Sequence, residues 1–196
     1  PLAHPLLPVL YMNNEHFPNI ISKRETPISK WLTLVERNVI FSDKEDIEIY
    51  HSVRPYDYVS ILAVTSDLRI PLVQQYRPVL EETSLELPGG LIDTDKTPED
   101  TALIELREET GLIASNAECL GVLNPDPGRL DNHFHCFFAS NVEIDTTATI
   151  ESRIKLVWTD FNELREMILD GRFSSCPQIS LIAMASLRGF IKELKI

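Results

Sequence analysis

Residues 97–112 constrain this chain more than any other stretch. Thr97 is a natural N-cap, Pro98 stands at the first helical position, and Glu99 and Asp100 suit the positive end of a helix. Gly111 offers the stop. The spacing predicts a helix over 98–110. At about 100° per residue, Glu105, Glu108 and Glu109 share one arc of roughly 100°, with Ala102, Leu103, Leu106 and Thr110 in the adjoining arc. The helix therefore carries an apolar face and, beside it, a carboxylate edge. Glu105 and Glu109 are four residues apart, where like charges repel by a few tenths of a kcal/mol. A cation between them turns that repulsion into binding. Mg²⁺ suits the place, because it takes one or two carboxylates, keeps waters and shares phosphate oxygens. On its charge alone the helix reads more simply as a solvated acidic face.

Around this helix the pattern is β. WLTLVERNVIF, IEIYHSV, YVSILAV and RIPLVQQYR are rich in β-branched and aromatic residues. Ser66-Asp67 separates the last two and predicts a hairpin. LELPGGLID reads as a short strand entering a glycine pair. Strand-like AECLGVL, HFHCFFA and IKLVW follow the helix, then helices over 161–170, closed by Gly171, and over 177–195. Pro1, Pro5, Pro8 and Pro18, with Pro27 at the boundary, mark residues 1–26 as an irregular arm, leaving 27–196 as one domain. The order of strands, helix, strands, helix, helix argues for an α/β protein, a mixed β-sheet with helices on its faces.

Thirty acidic against 18 basic residues give a formal net charge of −12. That excess argues against non-specific binding to nucleic acid or to an anionic membrane. It leaves room for a nucleotide, since a bound divalent cation inverts the local sign. A hydrophobic content of 43% is too high for a disordered acidic chain. No apolar run approaches the ~20 residues that span a bilayer. The opening PLAHPLLPVL lacks a basic region and is broken by prolines, so it reads as a poor signal peptide. Cys119, Cys136 and Cys176 are widely spaced with no CxxC pair, which points to reduced thiols and a cytoplasmic setting. His133 and His135 share one strand face, but without an evident third ligand they read as structural or solvated.

Residues 86–112, ELPGGLIDTDKTPEDTALIELREETGL, resemble the box of the Nudix hydrolase superfamily, G-x5-E-x7-R-E-U-x-E-E-x-G-U with U bulky and apolar. Gly90, Glu105, Leu106, Glu108, Glu109, Gly111 and Leu112 match at the required spacing. Lys96 stands where the family has Glu, and Ile104 where it has Arg. YVSILAV, PLVQQYRP and LELPGGLID look like the subgroup that hydrolyses ADP-ribose and related nucleoside-diphosphate sugars. That subgroup often has a proline about fifteen residues after the box, and Pro127 in NPDPGR stands there.

The resemblance implies a Nudix fold, a mixed sheet sandwiched between helices, with an N-terminal β-region. It implies metal-dependent hydrolysis of a nucleoside-diphosphate-linked pyrophosphate to a nucleoside monophosphate and a sugar phosphate. Mg²⁺ or Mn²⁺ is expected on Gly89, Glu105, Glu108 and Glu109, with Glu108 also orienting the reaction. Glu151 is the expected general base and Glu143 its fallback. In this subgroup the N-terminal β-region often crosses to a partner subunit and stacks aromatics on adenine, which implies a homodimer and points to Trp31 and Tyr50. Ordinary strand packing explains both aromatics equally well. Arg77 and Arg129 are candidates to contact phosphate or ribosyl groups, against the plainer reading of surface ion pairs. The departures at Lys96 and Ile104 keep an alternative open: a catalytically weak or inactive Nudix fold that binds a nucleotide or a protein.

Overall fold

The computed structural model describes residues 18–41 and 46–192. Contacts divide the chain into two compact units, one running through Pro55 and taking in Gly128–Asp131, the other holding the rest. In the first unit, β1 (Asn19–Ser29), β2 (Leu32–Ile40) and β3 (Glu48–Pro55) form an antiparallel sheet in that order. Asn19 stands opposite Ile40, and Leu32 opposite Pro55. This corrects the expectation of an irregular arm to residue 26. The chain is regular strand from Asn19, and residues 1–17 lie outside the described residues. Pro27 misled because proline usually breaks a strand. Here β1 is an edge strand, where a missing N–H costs little, and the register shifts between Pro27 and Ser29.

The second unit runs β4 (Tyr58–Val64), β5 (Ile70–Arg77), β6 (Glu82–Glu86), α1 (Pro98–Thr110), β7 (Leu112–Ile113), β8 (Glu118–Leu123), β9 (Phe134–Ser140), β10 (Glu143–Ile144), β11 (Lys155–Thr159), α2 (Phe161–Leu169) and α3 (Cys176–Leu187). β4, β9 and β8 form one mixed sheet, with β4 parallel to β9 and β8 antiparallel to it. β11, β5 and β6 form an antiparallel sheet. Strand alternation divides the core. Val59, Ile61 and Ala63 of β4 join Phe137 and Ala139 of β9 against Ala102 and Leu106 of α1. Leu62 and Val64 of β4 join Phe134, Cys136 and Phe138 on the other side, with Phe161 and Leu164 of α2 and Leu181, Ile182 and Ala185 of α3. A strand buried on both faces has no polar alternation, which is why YVSILAV is so continuously apolar. The result is the expected α/β architecture, with α1 fixed directly over β4.

The hairpin expected at Ser66-Asp67 does not form. Thr65 and Arg69 close a tight turn there, with Leu68 at φ 62°, but β4 then pairs with β9 and β5 with β11 and β6. Local turn chemistry is the same for a hairpin and for a chain passing between sheets. The last helix is shorter than expected. Gly189 adopts φ 78°, and the Phe190 N–H reaches back to the Ala185 carbonyl at 3.0 Å, so α3 ends at Leu187. Residues 193–195 of the expected helix lie outside the described residues. Cys136 is buried, Cys119 and Cys176 are exposed, and none is in a disulfide. No helix among the described residues is long and apolar enough to cross a membrane.

Candidate functional site

The helix that carries the carboxylates is fixed at both ends by its own sequence. The Thr97 hydroxyl accepts from the Asp100 N–H at 3.1 Å. At the other end Gly111 takes φ 71° and its N–H donates to the Arg107 carbonyl at 2.9 Å. Ala102 and Leu106 face the sheet, and this rotation turns the acidic edge partly inward. Glu109 is only 5% exposed, Glu105 is half-buried and Glu108 is exposed.

The glycine pair meets that edge. The Pro88 carbonyl accepts from Ile61 N–H and the Gly90 carbonyl from Val59 N–H, both at 2.9 Å. Between them, the Gly89 N–H donates to Glu109 Oε2 at 2.9 Å. Gly89 is sterically required by the backbone around it, and Gly90 leaves room for the Glu105 side chain. A Cβ on Gly89 would lie 2.2 Å from the Val59 carbonyl oxygen, and one on Gly90 would lie 2.1 Å from Glu105 Oε1. Gly89→Ala meets backbone, which cannot swing aside. It is expected to destabilise the protein by about 2 kcal/mol or more, measured by urea denaturation. Gly90→Ala meets a side chain and is expected to cost less stability while displacing Glu105.

Burial pushes the Glu109 carboxyl up to about 8, helped by the charges of Glu105 and Glu151 and opposed by the Gly89 N–H and by Arg77. Burial likewise raises Glu105 to about 7, reinforced by Glu108, Glu151 and Asp93 and opposed by Lys96. A buried acid and a half-buried one that repel each other without a full counter-charge describe a place for a cation. The donors are all oxygen, which selects a hard ion such as Mg²⁺. Among the described residues no three His, Cys, Asp or Glu side chains converge closely enough to hold a metal ion as they stand. A cation that takes one or two carboxylates and keeps its waters needs no such group.

Ile104 leaves the helix without the family's arginine, and the positive charge comes from elsewhere. Arg77 on β5 makes a two-pronged pair with Glu86, Nε to Oε1 at 2.7 Å and Nη2 to Oε2 at 2.6 Å. Burial works to raise the Glu86 pKa, but hydrogen bonds from Arg77 and Ser84 outweigh it and hold the group below its ordinary value. Glu86 was missed by sequence reasoning. Strand pairing alone would not have found it either, because the register sets Arg77 opposite Glu82 and Val73 opposite Glu86, and the guanidinium reaches along β6 to Glu86. Lys96, expected only to reverse a charge, lowers the Glu105 pKa and so acts as a partial counter-ion. Arg107 points away and holds Asp145 at 2.7 Å.

Glu151 comes to the same edge from a distant part of the chain: its N–H donates to the Glu108 carbonyl at 3.1 Å, and its charge raises both buried glutamates. Glu143 lies exposed on β10. Trp31, Tyr50 and Arg129 belong to the N-terminal unit. Trp31 is 44% exposed at the β1–β2 turn, with Lys30 Nζ 4.1 Å from its ring centre. Tyr50, on β3, is 47% exposed, and its hydroxyl donates to Glu48 at 3.1 Å. His133 and His135 flank Asp57, at 3.4 and 3.8 Å from its Oδ2.

Comparison with known proteins accords with this geometry. The NUDIX domain family model matches residues 55–176. An ADP-ribose pyrophosphatase of Bacillus subtilis is 32% identical over 149 residues, covering 69% of this chain and 78% of the relative. A CMP-5'-(N-acetyl-N-hydroxy-3-aminopropyl)phosphonate hydrolase of Streptomyces rubellomurinus is 30% identical over 167 residues, 82% of this chain and 79% of the relative. Among solved structures, one titled as an ADP compounds hydrolase superposes with a TM-score of 0.75 at 20% identity, covering 89% of this chain and 97% of that one, which supports the fold.

Proposed function

Because this chain belongs to the Nudix hydrolase family, we propose that it hydrolyses the pyrophosphate of ADP-ribose or a related nucleoside-diphosphate sugar, giving a nucleoside monophosphate and a sugar phosphate. The observation that carries this reading is the pair of glutamates on one helix edge, Glu109 buried and Glu105 half-buried, set against the glycine pair of the box. Glu105, Glu108, Glu109 and the Gly89 carbonyl would hold a divalent cation, Mg²⁺ or Mn²⁺, which would supply charge neutralisation at the phosphates and an acidified water. The Gly89 N–H fixes Glu109 through its Oε2. Arg77, braced by Glu86, presents a fixed guanidinium to a phosphate oxygen. Glu151, backed by the Glu108 backbone, takes the proton from the attacking water, and Glu108 orients that exchange. Trp31 and Tyr50 offer stacking surfaces for the base, and Arg129 a further phosphate or ribosyl contact.

Exposed Ile20, Ile28 and Ile49 on the N-terminal sheet support a homodimer as the working form, and the free cysteines support the cytoplasm. The test is direct. Incubated with ADP-ribose and other nucleoside-diphosphate sugars plus Mg²⁺ or Mn²⁺, the protein is expected to release a nucleoside monophosphate, read by chromatography. Lys96 and Ile104 favour a second reading, a nucleotide-binding Nudix fold without turnover. Nucleotide binding with no monophosphate released, unchanged in Ile104→Arg, establishes that reading and overturns the first.

A further inference from the structure

The glycine pair is braced from α3, a helix that supplies none of the acids of the site. Glu86, opposite Val73, is the last residue of β6 paired with β5. Leu87 therefore leaves the ladder, yet it is buried. Buried backbone groups need partners. A single side chain serves both of Leu87's. Gln178, buried in the first turn of α3, accepts from the Leu87 N–H through Oε1 at 2.8 Å and donates from Nε2 to the Leu87 carbonyl at 3.2 Å. The amide thus exchanges the same two bonds that a residue of a neighbouring antiparallel strand would. Nε2 also donates to Ser60 Oγ at 3.4 Å, and the Ser60 hydroxyl donates to the Pro88 carbonyl at 2.9 Å. Pro88 has no N–H. The next donor along the chain is the Gly89 N–H, and it goes to Glu109 Oε2.

Gln178 shares the buried face of α3 with Leu181, Ile182 and Ala185, at the i, i+3, i+4 and i+7 spacing of one helix face. It is the polar member of that face, and its one acceptor and two donors are all spent on Leu87 and Ser60. We propose that Gln178 is a positioning residue of the cation site: by pairing with Leu87 and, through Ser60, with Pro88, it fixes the glycine pair so that Gly89 meets Glu109 before any ion arrives. This rests on the divalent-cation reading above, in which Gly89 and Glu109 are both ligands. Gln178 acts only through the backbone that leads into Gly89. A site whose ligands are already held loses little freedom on binding. Partners that orient metal ligands from behind are worth about ten- to a hundredfold in metal affinity.

Gln178→Met keeps the length of the side chain and removes the amide. Its affinity for Mn²⁺ without substrate, read by electron paramagnetic resonance of the free ion, is expected to fall about tenfold. Ser60→Ala leaves the Leu87 pair in place and is expected to weaken Mn²⁺ less. Ile182→Ala removes packing from the same face and no hydrogen bond. It is expected to lower the thermal midpoint while leaving Mn²⁺ affinity within about twofold of wild type. With ADP-ribose, Gln178→Met is expected to need about ten times more Mn²⁺ for half-maximal rate, with KM for ADP-ribose at saturating Mn²⁺ within about twofold. Amide hydrogen exchange at Gly89, slow in wild type, is expected to quicken in Gln178→Met and not in Ile182→Ala. Unchanged Mn²⁺ affinity in Gln178→Met, or an equal loss in Ile182→Ala, overturns the proposal. If Gln178→Met does not fold, Ser60→Ala decides, and wild-type Mn²⁺ affinity in that variant overturns it. A wild type that binds Mn²⁺ yet releases no nucleoside monophosphate ends the pyrophosphatase reading alone. A wild type that binds no Mn²⁺ ends the cation reading, and Gly89 exchange then decides the bracing: quickening confined to Gln178→Met sustains it, and unchanged exchange ends it.

Discussion

Glu109→Gln is expected to lower kcat by about a thousandfold while making the metal-free protein more stable above pH 8. Both effects come from one position. Glu109 is 5% exposed, its carboxyl is raised to about 8 chiefly by burial, and its Oε2 accepts from the Gly89 N–H at 2.9 Å. Glutamine has nearly the same shape and can still accept that hydrogen bond through its own oxygen, so the glycine pair keeps its place. What it lacks is the charge that holds a divalent ion, and such an ion supplies several kcal/mol to a phosphate transition state. At about 1.4 kcal/mol per tenfold, that loss is about three powers of ten. In the metal-free protein the same charge is a liability, because it is ionised in a buried place beside Glu105 and Glu151. The measurements are steady-state kinetics with ADP-ribose and Mg²⁺, and thermal unfolding with a chelator present. A variant that keeps more than a tenth of wild-type kcat removes Glu109 from the metal set. A variant less stable than wild type at high pH shows that the ionised carboxylate is better compensated than its burial implies.

The second large effect is the pH dependence of wild-type stability. Glu105 and Glu109 are raised from an ordinary 4.5 to about 7 and about 8. A group whose pKa is raised by folding stabilises the fold below its unfolded value, because the folded state binds the proton more tightly. That contribution is complete below about pH 4.5 and is lost as pH rises through about 7 and 8. One pKa unit corresponds to about 1.4 kcal/mol. With part of the repulsion shared between the two groups, a loss of about 2–4 kcal/mol between about pH 5 and about pH 9 is expected. Asp145 runs the other way. Thr147 and Arg107 hold it down to about 2, so its contribution is present above the ordinary aspartate range and fails as pH falls toward 2. The metal-free protein is therefore expected to be most stable in mildly acid solution. Mn²⁺ or Mg²⁺ is expected to restore stability at high pH and to do little at about pH 5, where both carboxyls hold protons. Thermal unfolding across pH, with and without the ion, reads this. Equal stabilisation by the ion at both pH values contradicts it.

Much of the site was legible because it is local. The N-cap, the N1 proline and the Gly111 stop of α1 lie within sixteen residues, and the helical period alone puts Glu105, Glu108 and Glu109 on one edge. The box spacing reflects the same local geometry. Other parts were closed to sequence reading for a common reason: they depend on which strands meet. The turn at residues 65–69 has hairpin chemistry, yet its strands enter different sheets because β9 and β11 compete for them. The chain from Asn19 reads as irregular from its prolines and becomes a strand because β2 offers it a partner.

By itself the sequence determined the family, the helix, its caps and the acidic edge, since each is a matter of spacing along one segment. Tertiary structure decided the chemistry of that edge. Packing of Ala102 and Leu106 on β4 rotates Glu109 out of water, the glycine pair receives it, and Arg77, Lys96 and Glu151 arrive from other elements to set its charge balance. Burial and long-range charge are properties of neighbours in space. A carboxylate that reads as one of thirty in the sequence thus becomes a proton-holding acid only after the sheet has formed beneath it.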